Sequence, residues 1–298
     1  MRPRPARIGT TRRAFAAGLA AAPLAASAVA RAQSDGFSEV ERRAGGRLGV
    51  FALDTGSGRK IGHRADERFL MCSTFKALAV STLLAQVDLG RERLDQRIAY
   101  GPKDILDYAP VTKAHLADRS MTLEALCAAA IEVSDNTAAN LILAKLGGPA
   151  AVTRYVRRLG DPITRLDRTE PTLNDPGPRG DAHDTTTPAA VVGLWRRLLL
   201  GDALSPASRK RLEGWLKGCK TGPGRLMAIT PAGWTIGHKT GSGRTTIGDV
   251  AILTPPASAP ILIAVYFEVP GARSNGHDDA IAEAGRLALK QLGTPAHG

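Results

Sequence analysis

Three strand-like runs, Trp234–Lys239, Thr246–Leu253 and Ile261–Val269, crowd one end of the 298-residue chain. The other strand signals, Arg47–Asp54 and Lys60–His63, lie near the opposite end, joined by the turn chemistry of Asp54-Thr55-Gly56-Ser57-Gly58. Everything between reads differently. Thr74–Gln86, Met121–Val133, Asn136–Leu146, Ala150–Leu159, Pro188–Leu200 and Ser205–Leu216 have helical character, and Asp279–Leu292 is a closing helix. Strand edges must pair with other strands, so the two chain ends have to meet. The pattern predicts an α+β fold: an antiparallel five-stranded sheet built from both chain ends, flanked by helices, with a central all-helical lobe. The expected sheet lobe covers about 33–72 and 220–298, and the helical lobe about 73–219, within one catalytic domain, 33–298. Ser120 is the expected N-cap of Met121–Val133, and Ser134 or Asp135 that of Asn136–Leu146. Residues 161–184 hold Pro162, Pro171, Pro176 and Pro178, which leaves no helix or strand period. A long ordered loop is expected there, and such loops are usually functional.

Residues 1–32 stand outside that fold. They carry six arginines and no acidic residue, followed by an Ala-rich apolar stretch that ends in Ala30-Arg31-Ala32. This is the layout of a cleaved signal peptide, and Thr11-Arg12-Arg13-Ala14-Phe15 is like a twin-arginine export signal. The expected mature chain starts near Gln33, is periplasmic or secreted, has the export machinery as a transient partner, and carries no membrane span. Removing the leader takes the formal charge from +12 to +6. The remaining basic residues form no dense run, so a solvated basic surface is expected and no nucleic-acid partner. Hydrophobic residues make up 43% of the chain, which excludes a disordered one. Three cysteines, none in a Cys-x-x-Cys pair, argue against a disulfide scaffold or a cysteine zinc site.

Chemistry concentrates in three short motifs. Ser73-Thr74-Phe75-Lys76 places a serine and a lysine three apart, on one helical face, at a helix start where free N–H groups lie. Ser57-Gly58-Arg59-Lys60 has the same spacing but sits in a turn, with no helix to align the pair. Ser134-Asp135-Asn136 is either a helix cap or part of a site. Lys239-Thr240-Gly241, followed by Ser242, ends a predicted strand, where a lysine, hydroxyls and free N–H groups suit a carboxylate. Lys220-Thr221-Gly222 repeats that tripeptide between a helix end and Pro223, so a turn explains it.

With the motifs in this order, the chain resembles the class A serine β-lactamases over nearly its whole mature length. The resemblance extends to Tyr108-Ala109-Pro110, to Arg165-Leu166-Asp167-Arg168-Thr169-Glu170-Pro171-Thr172-Leu173-Asn174 and to Asp184-Thr185-Thr186-Thr187-Pro188. It implies that Ser73 is the nucleophile, with Lys76 and Glu170 sharing its activation, and that Glu170 with Asn174 handles the hydrolytic water. Ser134 would protonate the departing lactam nitrogen. Asn136 would bind the substrate's side-chain amide, and Lys239, Thr240 and Ser242 its carboxylate. The Ser73 and Ser242 N–H groups would form the oxyanion hole. Tyr108 would flank the entrance, and Arg168 would pair with Asp184 across the base of the long loop. No metal or organic cofactor is implied, and the protein is expected to be a monomer acting on penicillins and cephalosporins. Two rival readings share Ser73, Lys76, Ser134 and Lys239: a peptidoglycan D,D-peptidase and a β-lactam sensor that stays acylated. Neither needs Glu170.

The sequence also departs from the family pattern. No arginine follows on the strand after the hairpin, so Arg225, or less readily Arg244, would supply the distal arginine. His238 stands where aspartate is common, read as packed or solvated. Some carbapenem-hydrolysing relatives bond a cysteine at the Cys72 position to one after K-T-G, but Gly243 stands there, so no disulfide is expected. Cys127 reads as a small buried hydrophobe, and Cys219 has no motif partner.

Overall fold

The computed structural model describes Met1 and residues 36–178, 180–269, 271 and 276–293. Apart from Met1, the expected leader lies outside the described residues. Residues 36–44 form a helix (α1), followed by strands β1 (Arg47–Asp54) and β2 (Lys60–His63) and a short strand β3 (Phe69–Leu70). A single turn over Cys72–Thr74 then feeds helix α2 (Phe75–Asp88). Strand β4 (Arg97–Ala99), helix α3 (Pro110–Ala114), strand β5 (Ser120–Thr122) and helices α4 (Leu123–Glu132), α5 (Asn136–Lys145) and α6 (Ala150–Arg158) follow. After the long loop come strand β6 (Thr185–Thr186) and helices α7 (Pro188–Leu199) and α8 (Pro206–Lys217). Strands β7 (Thr235–Ser242), β8 (Thr246–Thr254) and β9 (Ile261–Glu268) precede helix α9 (Asp278–Gln291).

The five-stranded sheet runs β2-β1-β9-β8-β7, so β1 from one end of the chain pairs with β9 from the other. Each pairing is antiparallel, with Val50 opposite Val265 at the junction of the two ends. The α+β architecture expected from the element order is the one found.

Side chains alternate across a strand, and that period divides the core in two. Ile247, Ala251 and Leu253 of β8 and Ile261, Ile263 and Val265 of β9 pack with Phe37, Ile281 and Ala284 against α1 and α9. Val250, Ile252, Leu262, Ala264 and Tyr266 face the other way, into a core shared with α2, α4, α5 and α7. Phe75 to Leu84 of α2 are all buried, including Lys76. A helix apolar all round belongs in the interior. Full burial of each Leu, Val or Phe there contributes about 1.5–3 kcal/mol. That packing fixes the start of α2, where Ser73 sits, between sheet and helices.

Two boundaries differ from the sequence reading. Met121–Val133 is not one helix: Ser120–Thr122 pairs with β4, and Thr122, not Ser120, caps α4 through Ala125 N–H. Ser120 is occupied instead by Arg97, which donates to its hydroxyl and carbonyl. Strand β7 continues past Lys239 to Ser242, because Gly241 and Ser242 keep pairing with Gly248 and Ile247. The K-T-G-S run therefore lies along a strand edge, not after it.

Candidate active site

The site forms where β7, the start of α2, the start of α5 and the long loop meet. Close approach is possible because Gly241 lacks a side chain: a Cβ there would lie 2.6 Å from the Met71 carbonyl oxygen and 3.1 Å from the Ser73 nitrogen. Cys72 and Ser134 take left-handed backbone conformations, φ 44° and 59°. Such conformations cost about 1–3 kcal/mol each and persist only where the surroundings impose them. Asp135 does so at Ser134. Fully buried, its carboxylate accepts from the backbone N–H groups of Val111, Thr112 and Ala138 and from the Thr112 hydroxyl. It caps α5, one of the two residues expected to do so.

Ser73 and Lys76 converge on one carboxylate oxygen. The Ser73 hydroxyl donates to Glu170 Oε1 at 3.1 Å, and Lys76 Nζ lies 3.1 Å from the same atom. Lys76 also donates to the Ser134 carbonyl at 2.8 Å, the Ser134 hydroxyl at 3.2 Å and Asn136 Oδ1 at 2.6 Å. The helical spacing that suggested a direct Ser73–Lys76 contact thus joins them through Glu170. Burial holds the Lys76 ammonium below its ordinary pKa, opposed by the Glu170 charge. A second lysine reaches Ser134 from the opposite side, with Lys239 Nζ 3.1 Å from its hydroxyl. Burial lowers Lys239 to about 7, with the Lys76 charge adding to the effect and Cys219 opposing it.

The long loop delivers Glu170 and Asn174. Asn174 Nδ2 donates to Glu170 Oε2 at 2.6 Å from the single turn Thr172–Asn174, leaving the buried Asn174 Oδ1 without a partner among the described residues. At the loop's base, Arg168 Nε donates to Asp184 Oδ2 at 2.5 Å. Asp184 Oδ1 accepts from the N–H groups of Asp167 and Arg168, and its carbonyl accepts from Met71 N–H. The loop base is therefore tied to the segment carrying Ser73.

Ser73, Tyr108, Ser134, Asn136, Glu170, Asn174, Arg225, Thr240 and Ser242 line a cleft of about 370 Å³. Lys76 and Lys239 lie fully buried behind it. Arg225 donates to the Gly241 and Gly248 carbonyls and to the Ser242 hydroxyl, and pairs with Asp278. Arg244 lines a different cavity, beside Phe69 and Thr245. All three cysteines are free. Among the described residues no group of three or more His, Cys, Asp or Glu is placed to hold a metal ion, and no helix is long and apolar enough to cross a membrane.

The chain from 33 to 292 matches the model of the β-lactamase enzyme family. It is 43% identical to β-lactamase L2 of Stenotrophomonas maltophilia over 94% of this chain and 92% of that protein. To β-lactamase AST-1 of Nocardia asteroides it is 44% identical over 86% of this chain and 83% of the relative. The solved class A β-lactamase of the last common ancestor of Gram-negative bacteria superposes with a TM-score of 0.84 at 54% identity, covering 88% of this chain and 99% of that one. The chain belongs to the class A serine β-lactamases.

As a class A β-lactamase it hydrolyses β-lactams, an activity that confers resistance to these antibiotics. The contacts of several residues in and behind its cleft escaped the sequence reading, although His238 is packed, one of the two readings expected for it. Asn140 exchanges two hydrogen bonds with the Glu170 backbone; its position one turn beyond Asn136, on the same face of α5, was the available signal. Thr221 and Gly222, read as a mere turn, line the β-lactamase cleft. His238 is buried and paired with Asp249 across the β7–β8 ladder, at 3.0 Å. Cys219, without a motif partner in sequence, lies beside His238 and 3.4 Å from the Thr221 hydroxyl.

Proposed function

We propose that the chain opens penicillins and cephalosporins through an acyl-enzyme on Ser73 that Glu170 then hydrolyses. The observation that carries this reading is the meeting of the Ser73 hydroxyl and the Lys76 ammonium on Glu170 Oε1, with Asn174 on Oε2. A serine hydroxyl needs a nearby base to become a nucleophile. Lys76 and Glu170 share the removal of the Ser73 proton, Oγ bonds to the lactam carbonyl carbon, and the N–H groups of Ser73 and Ser242 receive the developing oxyanion. The carbon–nitrogen bond breaks as Ser134, between Lys76 and Lys239, passes its proton to the leaving nitrogen and takes the former Ser73 proton through Lys76, which leaves Glu170 a carboxylate. In the second half Glu170, again a carboxylate, takes a proton from water, whose oxygen bonds to the acyl carbon, and that proton passes to Ser73 Oγ as its bond to the carbon breaks. Asn136 holds the substrate's amide side chain. Lys239, Thr240 and Ser242 hold the carboxylate, with Arg225 fixing the Ser242 hydroxyl. Tyr108, half of it exposed at the rim, flanks the entrance, and Arg168 with Asp184 holds the loop in register.

Residues 33–298 act in this proposal as one catalytic unit, monomeric and needing no cofactor. Residues 1–32 serve as an export leader, of twin-arginine type, that places the unit in the periplasm or outside the cell. Intact-protein mass followed in time after mixing with excess benzylpenicillin, with the drug monitored in parallel, tests the reaction. Drug loss with a transient adduct on Ser73 is the expected result. A persistent adduct with surviving drug would overturn the deacylation role of Glu170 and favour a peptidase or sensor.

A further inference from the structure

Thr240 is the end of a row of groups, Thr221, Cys219, His238 and Asp249, that the reaction above does not use. Its Oγ1 lies 2.5 Å from Thr221 Oγ1, which lies 3.4 Å from Cys219 Sγ. The Cys219 sulfur sits beside the His238 ring, whose Nδ1 is 3.0 Å from Asp249 Oδ1. His238 and Thr240, two apart on β7, share a sheet face, and Asp249 lies opposite Thr240 on β8. Cys219, His238, Asp249 and Thr240 are all buried, while Thr221 reaches the cleft. The enclosed His238 Nε2 has no hydrogen-bond partner among the described residues.

A hydroxyl has one hydrogen to donate, so a row of two hydroxyls has a direction. When Cys219 is a thiol, S–H donates to Thr221, Thr221 donates to Thr240, and the Thr240 hydrogen is free to meet an anion in the cleft. When Cys219 has released its proton to solvent, the sulfur accepts the Thr221 hydrogen and Thr221 accepts the Thr240 hydrogen. Thr240 then offers the anion only lone pairs. We propose that Cys219 is a positioning residue for the substrate carboxylate, its protonation state setting which way the Thr221 and Thr240 hydroxyls donate. The proposal rests on the reading of Thr240 as part of the carboxylate subsite.

The surrounding charges make this protonation change accessible. His238 and Asp249 face the thiol from β7 and β8, Lys239 from the next position on β7, with Lys76 of α2 and Glu170 of the long loop beyond it. Burial pushes the Cys219 thiol up, but His238 and Lys239 outweigh it and bring the thiol to about 7. Burial lowers His238 while Asp249, and then Cys219, raise it to about 10, so the imidazolium persists through neutral pH. Burial pushes Cys72 and Cys127 upward instead.

The test measures kcat and KM for benzylpenicillin across neutral pH in wild type, Cys219→Ser and Thr221→Val. In parallel, the ultraviolet thiolate absorbance of ligand-free wild type and Cys219→Ser is titrated. In wild type KM should rise about tenfold through neutrality, the scale of one lost hydrogen bond to a charged group, while kcat changes far less. Serine keeps the donor and does not ionise, so its KM should keep only the shallower rise that Lys239 contributes, and Thr221→Val should start from a raised KM with that same shallower rise. A thiolate band should grow in near pH 7 in wild type and be missing from Cys219→Ser. The same KM limb in Cys219→Ser would overturn the proposal, since Lys239 titration alone would then explain it. So would a wild-type thiolate band that appears only at alkaline pH, a measurement independent of whether the serine variant folds. Loss of all turnover and of any Ser73 adduct in wild type would instead defeat the acyl-enzyme reading, and the substrate-free thiolate band separates the two failures.

Discussion

Glu170 and Asn140 hold each other by the backbone. Glu170 N–H donates to Asn140 Oδ1 at 2.9 Å, and Asn140 Nδ2 donates to the Glu170 carbonyl at 2.8 Å. The first residue sits on the long loop and the second on α5, so this pair fixes a loop carboxylate against a helix. Asn140→Leu would strand both Glu170 backbone groups. Each buried, unpaired group costs about 1–3 kcal/mol, so urea unfolding should show a loss of that order. The Ser73 acyl-enzyme should also live about a hundredfold longer, the usual penalty for displacing a catalytic group by an ångström. An unchanged acyl lifetime, read by mass spectrometry, would remove Asn140 from the support of the site.

Glu170→Gln keeps the shape and a hydrogen bond to Asn174 but removes the base. General-base catalysis contributes about 10²–10⁴-fold. Benzylpenicillin should therefore leave a persistent mass adduct on Ser73 of the variant, with steady-state turnover down by about that factor. An adduct that clears at the wild-type rate would exclude Glu170 as the deacylating base.

The Arg168–Asp184 pair closes the loop from beneath. Asp184 is fully buried and Arg168 is 30% exposed at its side chain. Breaking a fully buried pair costs about 3–5 kcal/mol, an exposed one under about 1. Asp184→Asn, which keeps one acceptor for the Asp167 and Arg168 N–H groups, should fall between these limits, at about 1–3 kcal/mol. Deacylation should suffer more than acylation, because the loop carries Glu170 and Asn174 while Ser73 stays on the Cys72–Thr74 turn before α2. Equal losses in both steps, measured by single-turnover mass spectrometry, would show that the pair supports the whole fold and not the loop.

The fold was legible because its signals are local and redundant. The apolar runs that became β8 and β9 are buried on both faces, and the element order left the two chain ends nothing to pair with but each other. The chemistry was legible where a motif packs several functional groups into three or four residues, as at Ser73–Lys76 and Lys239–Ser242. Asn140, Thr221 and the Cys219–His238–Asp249 group were not. Apart from Cys219 and Thr221, two apart, their partners lie 11 to 30 positions away in sequence, so no short spacing reveals them. Ser120 was misread as a cap because a serine before an apolar run suits a helix start as well as a two-stranded edge. Only the pairing of β5 with β4 decides between them.

His238 gives stability a pH dependence with a fixed sign. Burial lowers its pKa, but Asp249 and then Cys219 raise it from 6.5 to about 10 in the fold. The native state therefore holds a proton between those values that the unfolded chain releases, and stability from this group falls as pH rises. The contribution is fully present below 6.5 and lost as pH passes through about 10. Because Cys219 titrates with this histidine, subtracting the unfolding free energy of His238→Asn/Cys219→Ser from that of Cys219→Ser isolates it. The difference should be largest near pH 6 and shrink steadily toward pH 10. A difference that grows with pH would mean that the histidine is neutral in the fold.

Gly241 decides whether β7 comes close enough to Ser73 to work. An added Cβ would meet the Met71 carbonyl oxygen at 2.6 Å and the Ser73 nitrogen at 3.1 Å. Both are backbone atoms, so no side chain can swing away, and the strand or the Cys72–Thr74 turn must move. Neither moves cheaply, because Arg225 ties the Gly241 carbonyl to β8 and Asp184 ties Met71 to the loop. In Gly241→Ala the separation of Ser73 from Ser242 should widen, weakening the paired N–H groups proposed to receive the oxyanion. Losing one such donor costs about 10²–10³-fold in kcat. The expected outcome is a fall of that size in kcat for benzylpenicillin, with the folded state retained by circular dichroism. A Gly241→Ala enzyme with wild-type kcat would place the oxyanion contacts elsewhere than between Ser73 and β7.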